Sequence, residues 1–204
     1  MINSRYNMKK LILLLSIMIS LVAQAQIDSK KTALLIIDIQ NFYFAGGVLE
    51  LTDPIPASLN AQKLLFSFRQ SEQLIVHIKH GSGARSEIHE NVVPLAAEKI
   101  IVKNEVNSFL KTDLLDYLNK NEITNLIICG MQTHMCVEAA TRAAADYGFE
   151  CTVIHDACAT RSLSFNRKTV KAKDVHTSTL ATLKSYSKIM STNEFLNKKD
   201  KNSK

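Results

Sequence analysis

Short apolar runs alternate with stretches of helical periodicity along most of this chain. The runs 33–39 (ALLIIDI), 74–78, 99–102, 126–129 and 152–155, with a last one near 188–190, are rich in Ile, Leu and Val. Continuous rather than alternating apolarity over so few residues predicts strands buried on both faces of a parallel sheet. Between them, 57–70, 112–120, 133–147 and 174–183 carry apolar residues at helical spacing. Gly148 follows the third of these as a helix-closing glycine. Strand–helix alternation of this kind predicts an α/β domain in three layers, a Rossmann-like sheet of six mainly parallel strands with helices on both faces. The order of the strands does not follow from the pattern.

The two ends of the chain read differently from its body. Arg5, Lys9 and Lys10 precede the apolar run 11–22, and Ala23-Gln24-Ala25 supplies small residues where a signal peptidase cuts. Residues 1–25 are therefore expected to be a secretory signal peptide, and the mature protein to be periplasmic or secreted. The apolar run is too short for a spanning helix, which needs about 20 residues. Residues 26–197 form the expected folded domain, and 198–204 a basic flexible tail. The net charge of +6 comes from these ends. Without the leader's three cations and the tail's four lysines and one aspartate, the 25 basic and 19 acidic side chains reduce to 18 of each. A neutral body gives no support to a basic nucleic-acid face, and leader cleavage would leave no membrane association.

In parallel α/β sheets, chemistry collects where strands end at their carboxyl edge. The first strand runs into Asp38, the third into Lys103, and the fourth into Gly130-Met131-Gln132-Thr133-His134-Met135-Cys136. Cys136 falls in the first turn of the helical stretch 133–147, with Thr133 as the expected N-cap. A helix N-terminus and a neighbouring Lys103 would both favour a thiolate. A thiol nucleophile, a carboxylate to move its proton and a fixed cation suit acyl transfer, with backbone N–H groups at the helix start as an oxyanion hole.

These residues carry a resemblance. The pieces ALLIIDIQNFYF, IIVKNEVNSF, LIICGMQTHMCVEAATRAAADYG, VIHDACATR and VHTSTLATL occur in order over 31–196. Together they resemble the isochorismatase-like cysteine hydrolase family. The resemblance implies a six-stranded parallel sheet and a triad falling on Asp38, Lys103 and Cys136. It also implies a non-proline cis peptide before Gln132, so that Met131, Gln132, Thr133 and Cys136 shape the oxyanion site. The family includes amidases that attack a carbonyl through the cysteine, and isochorismatases that hydrolyse a vinyl ether without one. Retention of Cys136 favours cleavage of a C–N bond in a small amide, lactam or ureido compound. The alternatives are the vinyl-ether reaction and a non-catalytic binding protein on the same fold. Homo-oligomers are common in this family, but nothing in the sequence selects one.

Nicotinamidases of the family hold a metal through an Asp-x-His pair and a further His. The matching stretch here, His77-Ile78-Lys79-His80, has Lys79 and no Asp, so no metal and no cofactor are expected. Residues three apart on a strand also face opposite ways, which separates His77 from His80. Gln40, Phe44, His80 and His134 are expected to line a substrate pocket, His77 to pack within its strand, and His176 to cap or solvate the last helix. Gly81-Ser82-Gly83 lacks the third glycine of a dinucleotide loop, and no Gly-x-Ser-x-Gly elbow is present. Cys129 and Cys151 mark opposite ends of neighbouring strands, too far apart for a disulfide. Cys158 is placed beyond the fifth strand, and Cys136 is expected to be a free thiol.

Overall fold

The strand Thr32–Ile37 (β1) is buried along nearly its whole length, which is why its apolar run is unbroken. It occupies the middle of a six-stranded sheet of order β3-β2-β1-β4-β5-β8. The other members are Leu74–His80 (β2), Lys99–Lys103 (β3), Asn125–Met131 (β4), Glu150–Ala159 (β5) and Ser187–Met190 (β8). All five pairings are parallel. The computed structural model describes residues 31–81 and 86–202. The expected signal peptide and the Ser82-Gly83 part of the glycine-containing loop lie outside the described residues.

Helices cover both faces, as the three-layer pattern requires. Pro54–Gln70 (α1) and Thr192–Asn202 (α5) share one face, with Phe68 stacked on Phe195. Leu114–Lys120 (α2), Glu138–Asp146 (α3) and Ala172–Leu183 (α4) line the other. There Phe109, just ahead of α2, stacks on Phe149, and Arg142 of α3 reaches Thr182 of α4. The core between the layers includes Leu34, Ile36, Leu64, Phe68, Leu118 and Ile128, all essentially without exposed surface. Among the described residues no helix is long and apolar enough to cross a membrane.

The structure departs from the sequence reading in four places. First, β5 runs well past 155. Its pairing with β4 shifts after Ile128–Val153 and resumes at Gly130–Cys158, a bulge that inserts extra residues into one strand. Cys158 thus lies inside the sheet beside Gly130, and the polar His155-Asp156 pair marks the bulge rather than the strand's end. Second, the stretch 133–147 is not one helix: a π-helical turn, Thr133–Val137, precedes α3. Third, Leu163–Phe165 (β6) and Lys168–Val170 (β7) form a small separate hairpin. Its turn residues Asn166 and Arg167 both have positive φ, as tight hairpin turns demand. Fourth, the expected loose tail is helical as far as Asn202. Asp156 Oδ1 accepts from Thr192 N–H and Oγ at the helix start, and Lys199 lies over the Phe68 ring while donating to Ser67. A lysine stem laid along apolar surface with its head on a carbonyl explains why this basic segment is held.

Glycine is sterically required at the end of β4. Gly130, at the β4 end beside Ile37, has φ +135°, and a Cβ there would sit 2.0 Å from the Ile37 carbonyl oxygen. Gly130→Ala should therefore cost more than about 4 kcal/mol, the range reserved for severe backbone or packing conflicts. Thermal unfolding would show this as loss of the cooperative transition. A variant melting within a few degrees of the parent would show that β4 can move away from β1.

Candidate active site

Four strand ends build the site. Asp38 follows β1 directly with φ 50°, its N–H donating to the Ile78 carbonyl. A left-handed backbone is tolerated by Asp better than by most residues, and it takes the chain out of the sheet at this point. His80 ends β2 and Lys103 ends β3, and the two are register partners, so they stand side by side on one face. Cys136 lies in the π-helical turn that leaves β4. All of this is beneath the surface: Asp38 is 0% exposed, Lys103 1% and Cys136 5%.

The Lys103 ammonium is the hub. Its Nζ lies 2.8 Å from Asp38 Oδ2, 3.1 Å from His80 Nδ1, 3.1 Å from the Glu105 carbonyl oxygen and 3.3 Å from Cys136 Sγ. Four acceptors thus compete for three N–H protons. His80 can accept through Nδ1 only when neutral there. Burial, with the adjacent ammonium, lowers its pKa and keeps it so. Asp38, His80 and Cys136 place their ligating atoms within 4.8 Å of one another, a cluster that resembles a metal site. The chain's own cation sits against all three donors, so a metal ion there would have to displace Lys103.

The structure does not fit the nicotinamidase-type metal arrangement either. His77 lies on the far face of β2, buried, with Nε2 2.9 Å from Glu98 Oε2. Glu98 is itself held by Arg69 through two charge-assisted bonds, and this drives its carboxyl down to about 2. Lys79 pairs with Glu87. His77 is thus a packed strand residue tied to a structural ion pair, away from His80.

The electrostatics correct one expectation. Lys103 does pull the Cys136 thiol toward ionisation, but burial outweighs it and the adjacent Asp38 charge opposes it. The thiol pKa is pushed up to about 12. Burial also raises the Asp38 pKa above its ordinary 3.8, against the pull of Lys103. The resting site is therefore a neutral thiol beside a carboxyl–ammonium pair, not a preformed thiolate.

The turn carrying Cys136 is braced on several sides. The Met131–Gln132 peptide is cis, at the bond the resemblance indicates. Gln132 rather than Thr133 occupies the N-cap position, without a side-chain cap. Thr133, fully buried, instead donates its hydroxyl to the Ala159 carbonyl and meets His176 Nδ1 at 2.9 Å. Met131 is buried in the core cluster. Gln132 Nε2 donates to the Tyr43 hydroxyl, while Gln132 Oε1 has no hydrogen-bond partner among the described residues.

The expected pocket residues divide. Gln40 is fully buried and its amide is engaged: Oε1 accepts from His80 N–H, and Nε2 donates to the His80 and Ser86 carbonyls. It positions His80. Phe44 is stacked on His89 with ring centroids 3.6 Å apart. His134 Nδ1 pairs with Thr160 Oγ1, and burial together with the nearby Arg161 charge lowers its pKa. Sequence reasoning missed Tyr43, Arg161 and the partnership of His176. Tyr43 stands beside Gln132 and near Asp38 and Arg161, with burial driving its phenol upward. Arg161 closes the VIHDACATR piece, and its buried Nε has no hydrogen-bond partner among the described residues. That orphaned donor was the available signal, and it is invisible in a sequence.

These opposing charges give a test of unintuitive sign. Asp38→Asn removes the negative charge and the hydrogen bond that raise the Cys136 pKa. The variant thiol should titrate at lower pH and be alkylated by iodoacetamide faster near pH 8–9, by up to about tenfold for each pKa unit recovered. Mass mapping of the Cys136 peptide across a pH series reads this. Slower alkylation in the variant would mean that Asp38 instead promotes ionisation in the resting protein.

Comparison with known proteins places this geometry. The model of the isochorismatase domain matches residues 32–193. The isochorismatase family protein YddQ of Bacillus subtilis is 42% identical over 177 residues, covering 81% of this chain and 98% of that protein. A crystal structure described as an isochorismatase hydrolase from Oleispira antarctica superposes with a TM-score of 0.80 at 38% identity, covering 82% of this chain and 97% of the other. A streptothricin hydrolase of Streptomyces noursei is 32% identical over 137 residues, or 63% of this chain, which spans 54% of that relative's length. The chain belongs to the isochorismatase family, whose members are hydrolases with this α/β fold.

Proposed function

We propose that this protein is an exported cysteine hydrolase that cleaves a C–N bond of a small amide, lactam or ureido compound through a Cys136 thioester. The observation that carries the reading is one buried ammonium in contact with both a thiol sulfur and a carboxylate. In the proposed reaction Asp38 takes the Sγ–H proton as sulfur adds to the carbonyl carbon. The carbonyl electron pair moves to oxygen, held by backbone N–H groups of the turn spanning Met131, Gln132, Thr133 and Cys136. Collapse breaks the C–N bond, and Asp38 returns its proton to the departing nitrogen. Water then adds to the thioester, giving a proton to Asp38, and the C–S bond breaks to restore the thiol. Lys103 offsets the negative charge throughout.

A thiol pKa near 12 does not obstruct this route. Burial raises the Asp38 carboxyl as well, so the proton passes between two groups displaced in the same direction. Transfer coupled to C–S bond formation needs no free thiolate. The similarity to streptothricin hydrolase supports hydrolysis of a small compound, and the leader-like 1–25 supports export. A second reading draws on the raised Asp38 pKa: a carboxyl that holds its proton could protonate a vinyl ether, leaving Cys136 a bystander.

A panel of small amides, followed by intact mass and ammonia release, separates the two. Cys136→Ala should lower turnover by at least about 10³-fold, the scale for loss of a nucleophile, and no thioester adduct should form. Turnover that survives would transfer the chemistry to Asp38. The acid limb of kcat/KM should lie above the ordinary carboxylate value of 3.8, because Asp38 must be ionised to accept a proton and its pKa is raised. Activity is then lost as pH falls through that raised value. A limb at or below 3.8 would contradict Asp38 as the base.

A further inference from the structure

Thr133 opens the turn that carries Cys136, three residues ahead of the sulfur, and its hydroxyl has two partners. One is the Ala159 carbonyl at 3.2 Å and the other His176 Nδ1 at 2.9 Å. A threonine hydroxyl owns a single proton, and a carbonyl can only accept. With that proton on Ala159, Nδ1 of His176 donates across the 2.9 Å contact; with it on Nδ1, the ring accepts, and either assignment joins the two side chains through the same nitrogen. This bond ties α4, which begins at Ala172, to the turn between β4 and α3. It is half-buried at the histidine and fully buried at the threonine. The Thr133 hydroxyl is thus held from the end of β5 and from α4, and no third group is needed to fix it.

We propose that His176 is a positioning residue for Cys136. Through Nδ1 it fixes the Thr133 hydroxyl and with it the turn that aims the thiol between Lys103 and Asp38, while the ring also meets the main chain of His155 on β5. This rests on the reading of Cys136 as the nucleophile. His176 touches neither the thiol nor the acid–base pair. Its effect is on the placement of the sulfur, where a displacement of about 1 Å costs on the order of 10²-fold in rate. The bonding atom matters because the two ring nitrogens have different amide mimics. Asn places its terminal group near the Nδ1 position and can meet Thr133. Gln reaches toward Nε2 and cannot.

The test compares His176→Asn, His176→Gln and His176→Ala in the full mature protein. Two readouts are used: kcat and KM on an amide the parent turns over, and the iodoacetamide rate of Cys136 by mass mapping. Asn should keep both rates within about threefold of the parent. Gln and Ala should lower kcat by at least tenfold with KM little changed, and should alter the alkylation rate. Thermal unfolding of all three identifies any that merely fail to fold, and the Asn–Gln contrast is read only between variants that melt cooperatively. Equal behaviour of Asn and Gln, or rescue by Gln alone, would overturn the assignment. The alkylation rates decide the matter even if no amide is turned over, so failure of the proposed reaction and failure of this inference remain distinguishable.

Discussion

Removing a lysine ammonium and an aspartate carboxylate from water costs several kcal/mol per ion unless each recovers its hydrogen bonds inside. Lys103 and Asp38 have no exposed side-chain surface and meet at 2.8 Å. Much of the local architecture follows from meeting that cost. Lys103 comes from β3, an edge strand whose alternating pattern turns Ile101 and Lys103 inward and Ile100 and Val102 outward. An edge position lets the long side chain reach inward along the carboxyl rim toward a carboxylate two strands away. The Glu105 carbonyl, two residues on, supplies an acceptor that a straight strand could not. His80, held at its backbone by Gln40, supplies another. Removing either member of the pair would leave its partner buried and uncompensated, the circumstance in which buried ion pairs matter most.

The same burial decides how the thiol behaves. In water a lysine beside a cysteine would lower its pKa. Here desolvation dominates, and Asp38 and Lys103 act on the sulfur with opposite signs. The result is a site poised with its proton still on sulfur, where the pKa gap between donor and acceptor matters more than either value alone. In the proposed reaction the ammonium serves both charged forms: it faces the carboxylate before transfer and the sulfur after it. Because Nζ already contacts both atoms, no side-chain rearrangement is required as charge moves, which is the condition for electrostatic preorganisation.

The parallel sheet was legible because β1, β2 and β4 are buried on both faces and write this directly as Ile, Leu and Val runs. The meeting of Asp38, Lys103 and Cys136 was legible because strand ends map to one rim and because ALLIIDIQNFYF and LIICGMQTHMCVEAATRAAADYG carry a family resemblance. What the sequence concealed depends on tertiary partners. The length of β5 was hidden by His155-Asp156, polar residues that read as a strand end but sit at a bulge, with Asp156 holding the start of α5. The last helix was hidden by its lysines, since Lys199 looks solvated until Phe68 and Ser67 are known to lie beneath it. Gln40 looked like a pocket residue because it follows Asp38 by two, yet its amide is taken up by the main chain of a strand forty residues away. The direction of the Cys136 shift could not be read at all, because helix-start and lysine effects are local in sequence while desolvation belongs to the whole fold.

The irregular ends of β4 and β5 complete the arrangement. A regular pairing would continue from Ile128–Val153 and leave 158–160 beyond the sheet. The bulge instead brings Cys158 and Ala159 beside Gly130 and Met131, and this proximity has consequences on both sides of the cysteine turn. The Ala159 carbonyl receives Thr133, and Thr160 holds His134 through its hydroxyl while its carbonyl accepts from Thr52. One displaced strand end therefore braces the turn and anchors the loop leading to α1. Gly130 permits this because any larger residue would strike the Ile37 carbonyl and force β4 away from β1. The precision of the Cys136 position is thus a property of the sheet's central three strands. The Cys136 sulfur sits on a π-helical turn, but that turn is set by Gly130 against β1 and by Ala159 of β5, so it inherits the rigidity of the core.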